Sequence, residues 1–281
     1  MSGCSHSQSR LPGQLRDAPG ADSFSPRAAD LYTMPDDRLF VGAVWCGGPW
    51  LAVVFDGAAF DHAAVFDGIG DGWLRYEDDL RRLLVDVPIG LVEDGGETRP
   101  CDDLARELLG ERAAAVFDPP VREATRKRRF PAASRVHERK TGHDLSRAAF
   151  EAREAIAAVD ELLKELPEAR DVVGEAQPEL CFRAFADRPL DFPRDLAAGY
   201  AERLRILAEY DPDAPVTVQS VAEATGGAPV AVADVLDAVA LAYTARPGPG
   251  ALRQLPSDHT SDERGLPMRL WYRAETSLTD S

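Results

Sequence analysis

The apolar positions of this chain come in short runs separated by glycine and proline, and the runs change period along the sequence. Leu39–Cys46, Trp50–Asp56 and His62–Phe66 are brief β-like stretches divided by Gly47-Gly48-Pro49 and by Gly57, which predicts a three-strand antiparallel meander. Asp71–Leu80 reads as a short helix, Arg82–Val87 as a fourth strand, and Cys101–Gly110 as a helix stopped by its glycine. After an irregular stretch over 115–142, Leu145–Leu166 carries one long amphipathic pattern with Ala149, Ile156, Val159 and Leu163 on its buried side. Asp171–Glu175 is a candidate fifth strand. Helices are expected near 195–209 and 217–225, and Pro229 opens a last one ending near Ala245. Met268–Tyr272 closes the ordered part as a short strand. Strands alternating with helices in this way predict an α/β fold with a mixed sheet flanked by helices.

The flanks differ in composition. Residues 1–35 are rich in Ser, Pro, Gly, Asp and Arg without periodicity and are expected to be a disordered tail, as are residues 275–281, leaving one domain over 36–274. Met34 directly precedes the first strand and is a candidate start of translation, which peptides from residues 1–33 in the native protein would exclude. The first residues lack the apolar core of a signal peptide, and no stretch nears the roughly 18 apolar residues of a membrane span, so a cytoplasmic protein is expected.

Charge adds a second theme. The net charge is −16, and only three lysines accompany 29 arginines. Such an acidic, lysine-poor chain resembles proteins of salt-loving microbes, where salt screens self-repulsion; an acidic surface encoded by a GC-rich genome is the alternative. Against this background Arg122–Lys140 holds eight basic residues and two acids. Its cluster Arg126-Lys127-Arg128-Arg129 is a candidate grip on a nucleic-acid backbone, DNA or RNA, because phosphate contacts dominate non-specific affinity. The competing role is an internal countercharge for the acidic surface. Cys4, Cys46, Cys101 and Cys181 have no CxxC spacing, and His6, His62, His137, His143 and His259 form no metal motif.

Carboxylates in apolar surroundings carry the candidate chemistry. Asp86 lies within Leu83-Leu84-Val85-Asp86-Val87-Pro88-Ile89, where an unpartnered ion would cost several kcal/mol or lose its charge. It sits near the C-terminal end of a strand, where open α/β sheets place ligands; pairing with Arg99 or Arg106 is the structural alternative. Asp234 and Asp237 are the charges of the otherwise apolar segment Val230–Ala245 and share one helix face. Asp234 could equally complement the helix dipole. Glu175 and Glu179 flank Pro178, and Glu179 could simply begin a helix. Asp86, Asp237 and Glu175 are therefore the candidate catalytic acids, and Asp86, Asp237, Asp234 and Glu179 the candidate ligands of Mg²⁺ or Mn²⁺, hard cations that prefer oxygen donors.

Taken together, VGAVWCGGPWLAV (41–53), VDVPIGL (85–91), RPCDDLARELLG (99–110), GEAQPELCFRAF (174–185) and DVLDAVALAYTA (234–245) resemble a family of predicted RNase H-like nucleases, domain of unknown function 429. Within the expected domain the stretch 115–142 is read as a basic insertion; the resemblance spans about residues 38–273. It implies an RNase H-like fold and hydrolysis of phosphodiesters at divalent metal, with Asp86 in the fourth-strand role and Asp237 in the late-helix role. Two positions depart from the family pattern. Val44 stands where its first strand typically carries an aspartate, and Gln177 where it tends to have a histidine. The loss of the first acid leaves two functions open: an active nuclease, or an inactive relative that binds nucleic acid or acts as a scaffold.

Overall fold

The computed structural model describes residues 38–280; the expected N-terminal tail and Met34 lie outside the described residues. The core is a five-stranded sheet built from β1 (Leu39–Trp45), β2 (Trp50–Asp56), β3 (Ala59–Phe66), β4 (Leu80–Val85) and β5 (Val173–Glu175), in the order β3-β2-β1-β4-β5. The sheet as a whole is not a three-strand antiparallel meander. β2 pairs antiparallel with both β1 and β3, whereas β4 joins β1, and β5 joins β4, in parallel. Parallel pairing needs a crossover, and helix α1 (Ile69–Tyr76) supplies it between β3 and β4.

Both faces of the sheet are covered, which explains why its inner strands read as nearly continuous apolar runs. Phe40 and Val44 of β1 face one side, where they pack with the final helix, and Val41 and Ala43 face the other, against α1 and a helix of the middle segment. That middle segment is broken where one long helix was expected: α5 (Arg147–Glu151) ends at Ala152 and α6 (Arg153–Glu165) restarts there. Arg153 turns its guanidinium back onto the Phe150 carbonyl at 2.9 Å, an interaction that hydrophobic periodicity does not reveal. On the opposite face lie α7 (Pro178–Ala186), α8 (Ala197–Tyr210), α9 (Ala214–Ala224) and α10 (Val232–Ala245), all contributing to one apolar cluster.

Other elements depart from the sequence pattern. The 115–142 segment is largely helical, holding α3 (Arg122–Thr125) and α4 (Phe130–Thr141), after α2 (Pro100–Leu109) and a 3-10 turn. Strand β6 (Ala251–Ser261) was hidden by Pro256 and by polar residues on its exposed side; it pairs with β7 (Pro267–Ala274) in a separate two-stranded sheet that packs against α2 and α7. Residues 275–280 do not trail away as expected. Leu278 is buried in the same cluster as Tyr272, whose hydroxyl accepts the Leu278 N–H. Among the described residues no helix is long and apolar enough to cross a membrane.

Candidate functional site

The parallel strands β1 and β4 end side by side, and at this edge the Trp45 N–H donates to Asp86 Oδ1 at 3.0 Å. Asp86 is thus anchored by one oxygen, while Oδ2 has no hydrogen bond among the described residues. Helix α10 lies directly over β1 because residue 42 is glycine. A Cβ there would stand 2.2 Å from the Ala242 nitrogen and 2.5 Å from the Ala238 oxygen. This close approach brings the first turns of α10, with Asp234 and Asp237, to the end of the strands.

Arg194 joins them. Its guanidinium reaches Asp234 at 2.6 Å and Asp237 at 2.9 Å. The Asp237 side chain is only 2% exposed, and its Oδ2, although near Arg194, has no properly aligned hydrogen bond among the described residues. Asp234 serves two purposes, since its other oxygen accepts the Ala231 N–H and caps the helix. The Arg194 loop is held rigidly. Glu202 accepts the N–H groups of Asp191 and Phe192 at 3.1 Å, and Arg203 donates to the Phe192 carbonyl at 3.0 Å. Gly199 makes room for it, because a Cβ there would lie 1.8 Å from the Pro193 oxygen. Arg203 also pairs with Glu179, leaving Glu179 Oε1 buried without a partner among the described residues.

Electrostatics follow from this crowding. Burial, against the opposing Trp45 hydrogen bond and with Asp237 nearby, pushes the Asp86 carboxyl up to about 7. Burial also lifts Asp237 to about 7, because the half-exposed Arg194 offsets only part of it while Asp234 and Glu179 add repulsion. Cys46 adjoins the same acids; burial and Asp234 push its thiol up to about 12, so it is protonated and no nucleophile at neutral pH.

The remaining sequence candidates separate. Glu175 is not part of this cluster. Both its oxygens bind Arg99, Oε1 at 3.2 Å, and Oε2 also accepts the Ile89 N–H at 2.8 Å. Arg99 pairs with Asp102 as well, and the whole group is buried. Burial raises the Glu175 carboxyl while Arg99 opposes it. Its chemistry is that of a buried structural network rather than an open site. Asp86 binds neither Arg99 nor Arg106. Asp56 pairs with Leu39 at the opposite end of β1 and cannot replace an acid at position 44. Val44 itself is 1% exposed among apolar side chains, and Gln177 caps α7 by accepting the Leu180 N–H at 2.8 Å. Among the described residues no three acids, histidines or cysteines are arranged as a ready metal-ligand group.

The basic segment divides in two. Arg122 is buried and paired with Glu93, Asp160 and Asp262, and Lys127, Arg139 and Lys140 lie within 4 Å of acids. Arg126, Arg128 and Arg129 are exposed on the turn between α3 and α4 and form no ion pair within that distance among the described residues. Sequence reasoning missed Arg194 and Gly42. The first is one arginine among 29, and the second matters only through a helix nearly 200 residues away.

A family model described as "Protein of unknown function (DUF429)" matches residues 44–261. No curated protein and no solved structure matches the chain.

Proposed function

Because the chain belongs to the DUF429 family, we propose that it is an RNase H-like, divalent-metal-dependent phosphodiesterase acting on nucleic acid. One observation carries this reading: Asp86, Asp234 and Asp237 converge where the parallel strands β1 and β4 end, with two of them held near neutrality by burial. Burial lifts the structural Glu175 to about 7 as well, but both its oxygens are bound by Arg99, whereas Asp86 Oδ2 and Asp237 Oδ2 have no hydrogen bond among the described residues; raised acids with an oxygen left open are functional-site candidates.

The donor set fits Mg²⁺ or Mn²⁺ in kind. It consists of carboxylate oxygens, and Asp237 Oδ2 is buried without a hydrogen bond among the described residues. Asp86, Asp234 and Asp237 would hold the ion, with Glu179 behind Asp237, and the charge that Arg194 now supplies marks where the ion's charge is needed. When bound, such a cation acidifies water and draws charge from a leaving phosphate oxygen. Asp86 is suited to accept a proton near neutral pH through its free Oδ2. Arg194, half exposed beside the acids, is suited to neutralise a phosphate. Arg126, Arg128 and Arg129 offer a backbone grip.

Val44 favours a second reading, a relative that binds without cutting, since β1 contributes no acid to the site. The deciding assay incubates single- and double-stranded DNA and RNA with Mn²⁺ or Mg²⁺ at low and high salt. Cleavage by wild type that disappears in Asp86→Ala supports the nuclease. Cleavage that appears only in Val44→Asp supports the inactive relative, and equal cleavage by wild type and Asp86→Ala excludes this site.

A further inference from the structure

A cavity of about 330 Å³ opens elsewhere, between the loop before α2, the segment before α3 and the C-terminal end of α4. None of Asp86, Asp234, Asp237 or Arg194 lines it. Its mouth is stitched in place. Gly95 donates to the Lys140 carbonyl at 2.9 Å, Gly142 turns the chain at the end of α4 with a φ of 78°, and His143 Nε2 lies 3.2 Å from the Gly96 carbonyl.

His137 on α4 lines this cavity and is 4% exposed. The Val121 N–H donates to His137 Nδ1 at 3.2 Å, so Nδ1 is an acceptor and the ring hydrogen sits on Nε2. That Nε2–H has no acceptor among the described residues. Arg99, also in the wall, has a buried Nε–H without an acceptor. The Arg99 Nε–H is sealed from solvent and faces no ligand, whereas the His137 Nε2–H keeps solvent access on a side chain that is otherwise buried, so it marks a place for an acceptor atom. The Arg99 charge is already met by Glu175 and Asp102. The exposed carboxylates of Glu97, Asp118 and Asp144 lie at the rim, and neither Glu97 nor Asp144 has an ion-pair partner within 4 Å among the described residues. Neutral or neutralised donors inside and anions outside disfavour phosphate and favour a molecule of opposite polarity.

We infer that this cavity is a second ligand site, taking a small organic cation with an amine or guanidine at the rim and a carbonyl or ring-nitrogen acceptor against His137. The inference is independent of the nuclease reading.

The test titrates the full chain with L-argininamide, and separately with inorganic phosphate, by calorimetry and by NMR of the histidine side chains. The expected result is saturable binding of argininamide with a shift of the His137 Nε2–H resonance, assigned by its loss in His137→Phe. In Glu97→Gln with Asp144→Asn the affinity should drop at least about tenfold, about 1.4 kcal/mol. These rim residues are exposed, so this variant stays folded even if His137→Phe does not. Absence of saturation, equal affinity in the rim variant, an unmoved His137 resonance, or preferential binding of phosphate would each overturn the assignment.

Discussion

Replacing Asp237 by asparagine should make this protein more stable at neutral pH, although the change deletes one end of an ion pair. The folded state holds the Asp237 carboxyl near 7 against an ordinary 3.8, so between these values it binds protons that the unfolded chain has released. Stability conferred by the protonated acid is therefore complete below about 4 and is lost as the pH rises toward 7. At about 1.4 kcal/mol per unit, the ionised carboxylate burdens the fold by up to about 4 kcal/mol above pH 7. Arg194 does not cancel this, because its side chain is 44% exposed and much of its field is screened by water. Asparagine keeps the shape and removes the charge, at a cost of about 1–3 kcal/mol for burying an imperfectly bonded amide. The net expectation is a gain of about 1–3 kcal/mol at pH 8, with each kcal/mol raising Tm by about 2–4 °C in a domain of this size. The gain should shrink or reverse at pH 4.5. Urea unfolding of wild type and Asp237→Asn at both pH values measures it. A loss of stability at pH 8 as large as at pH 4.5 would refute the reasoning, and would make Asp237–Arg194 an ordinary structural pair.

The opposite behaviour is expected of Glu175. Glu175→Gln leaves Arg99 charged, buried and short of a partner, which should cost about 3–5 kcal/mol in the same unfolding assay with or without divalent cations. If nucleic acid binds through the turn between α3 and α4, then Arg126→Ala, Arg128→Ala and Arg129→Ala combined should lower the slope of log affinity against log salt by about 2–3 in a fluorescence-anisotropy titration; an unchanged slope would assign the grip elsewhere. Arg122→Ala should instead unfold or loosen the protein, because its guanidinium ties Glu93, Asp160 and Asp262 together in a buried network; a melting temperature within a degree of wild type would contradict that role.

How much of this could be read from the residues varies with the range of the interaction. The strand edges of β1 to β4 were visible because glycine and proline punctuate apolar runs, and Asp86 and Asp237 stood out because a charge inside such a run is costly whatever the fold. Glu175 carried the same signal for a different reason: its partner Arg99 lies 76 residues earlier, and local pattern cannot distinguish an acid awaiting a cation from one already matched. Arg194 was invisible for the converse reason, as its surroundings are polar and its importance comes from Glu202 and Arg203 anchoring its loop beside α10. The basic segment mixed both cases, a buried structural arginine at 122 and exposed ones at 126, 128 and 129. The helix break at Ala152 and strand β6 were missed where side-chain contacts override periodicity.

The acids ending β4 and opening α10 are proposed to form a divalent-cation site. Titration of the protein with Mn²⁺, followed by the electron paramagnetic resonance signal of the free ion, tests it without reference to any substrate. Saturable Mn²⁺ binding by wild type is expected, lost in both Asp86→Asn and Asp237→Asn and unchanged in Glu175→Gln molecules that remain folded. Binding that survives in Asp86→Asn and Asp237→Asn, or no binding by wild type, would contradict it.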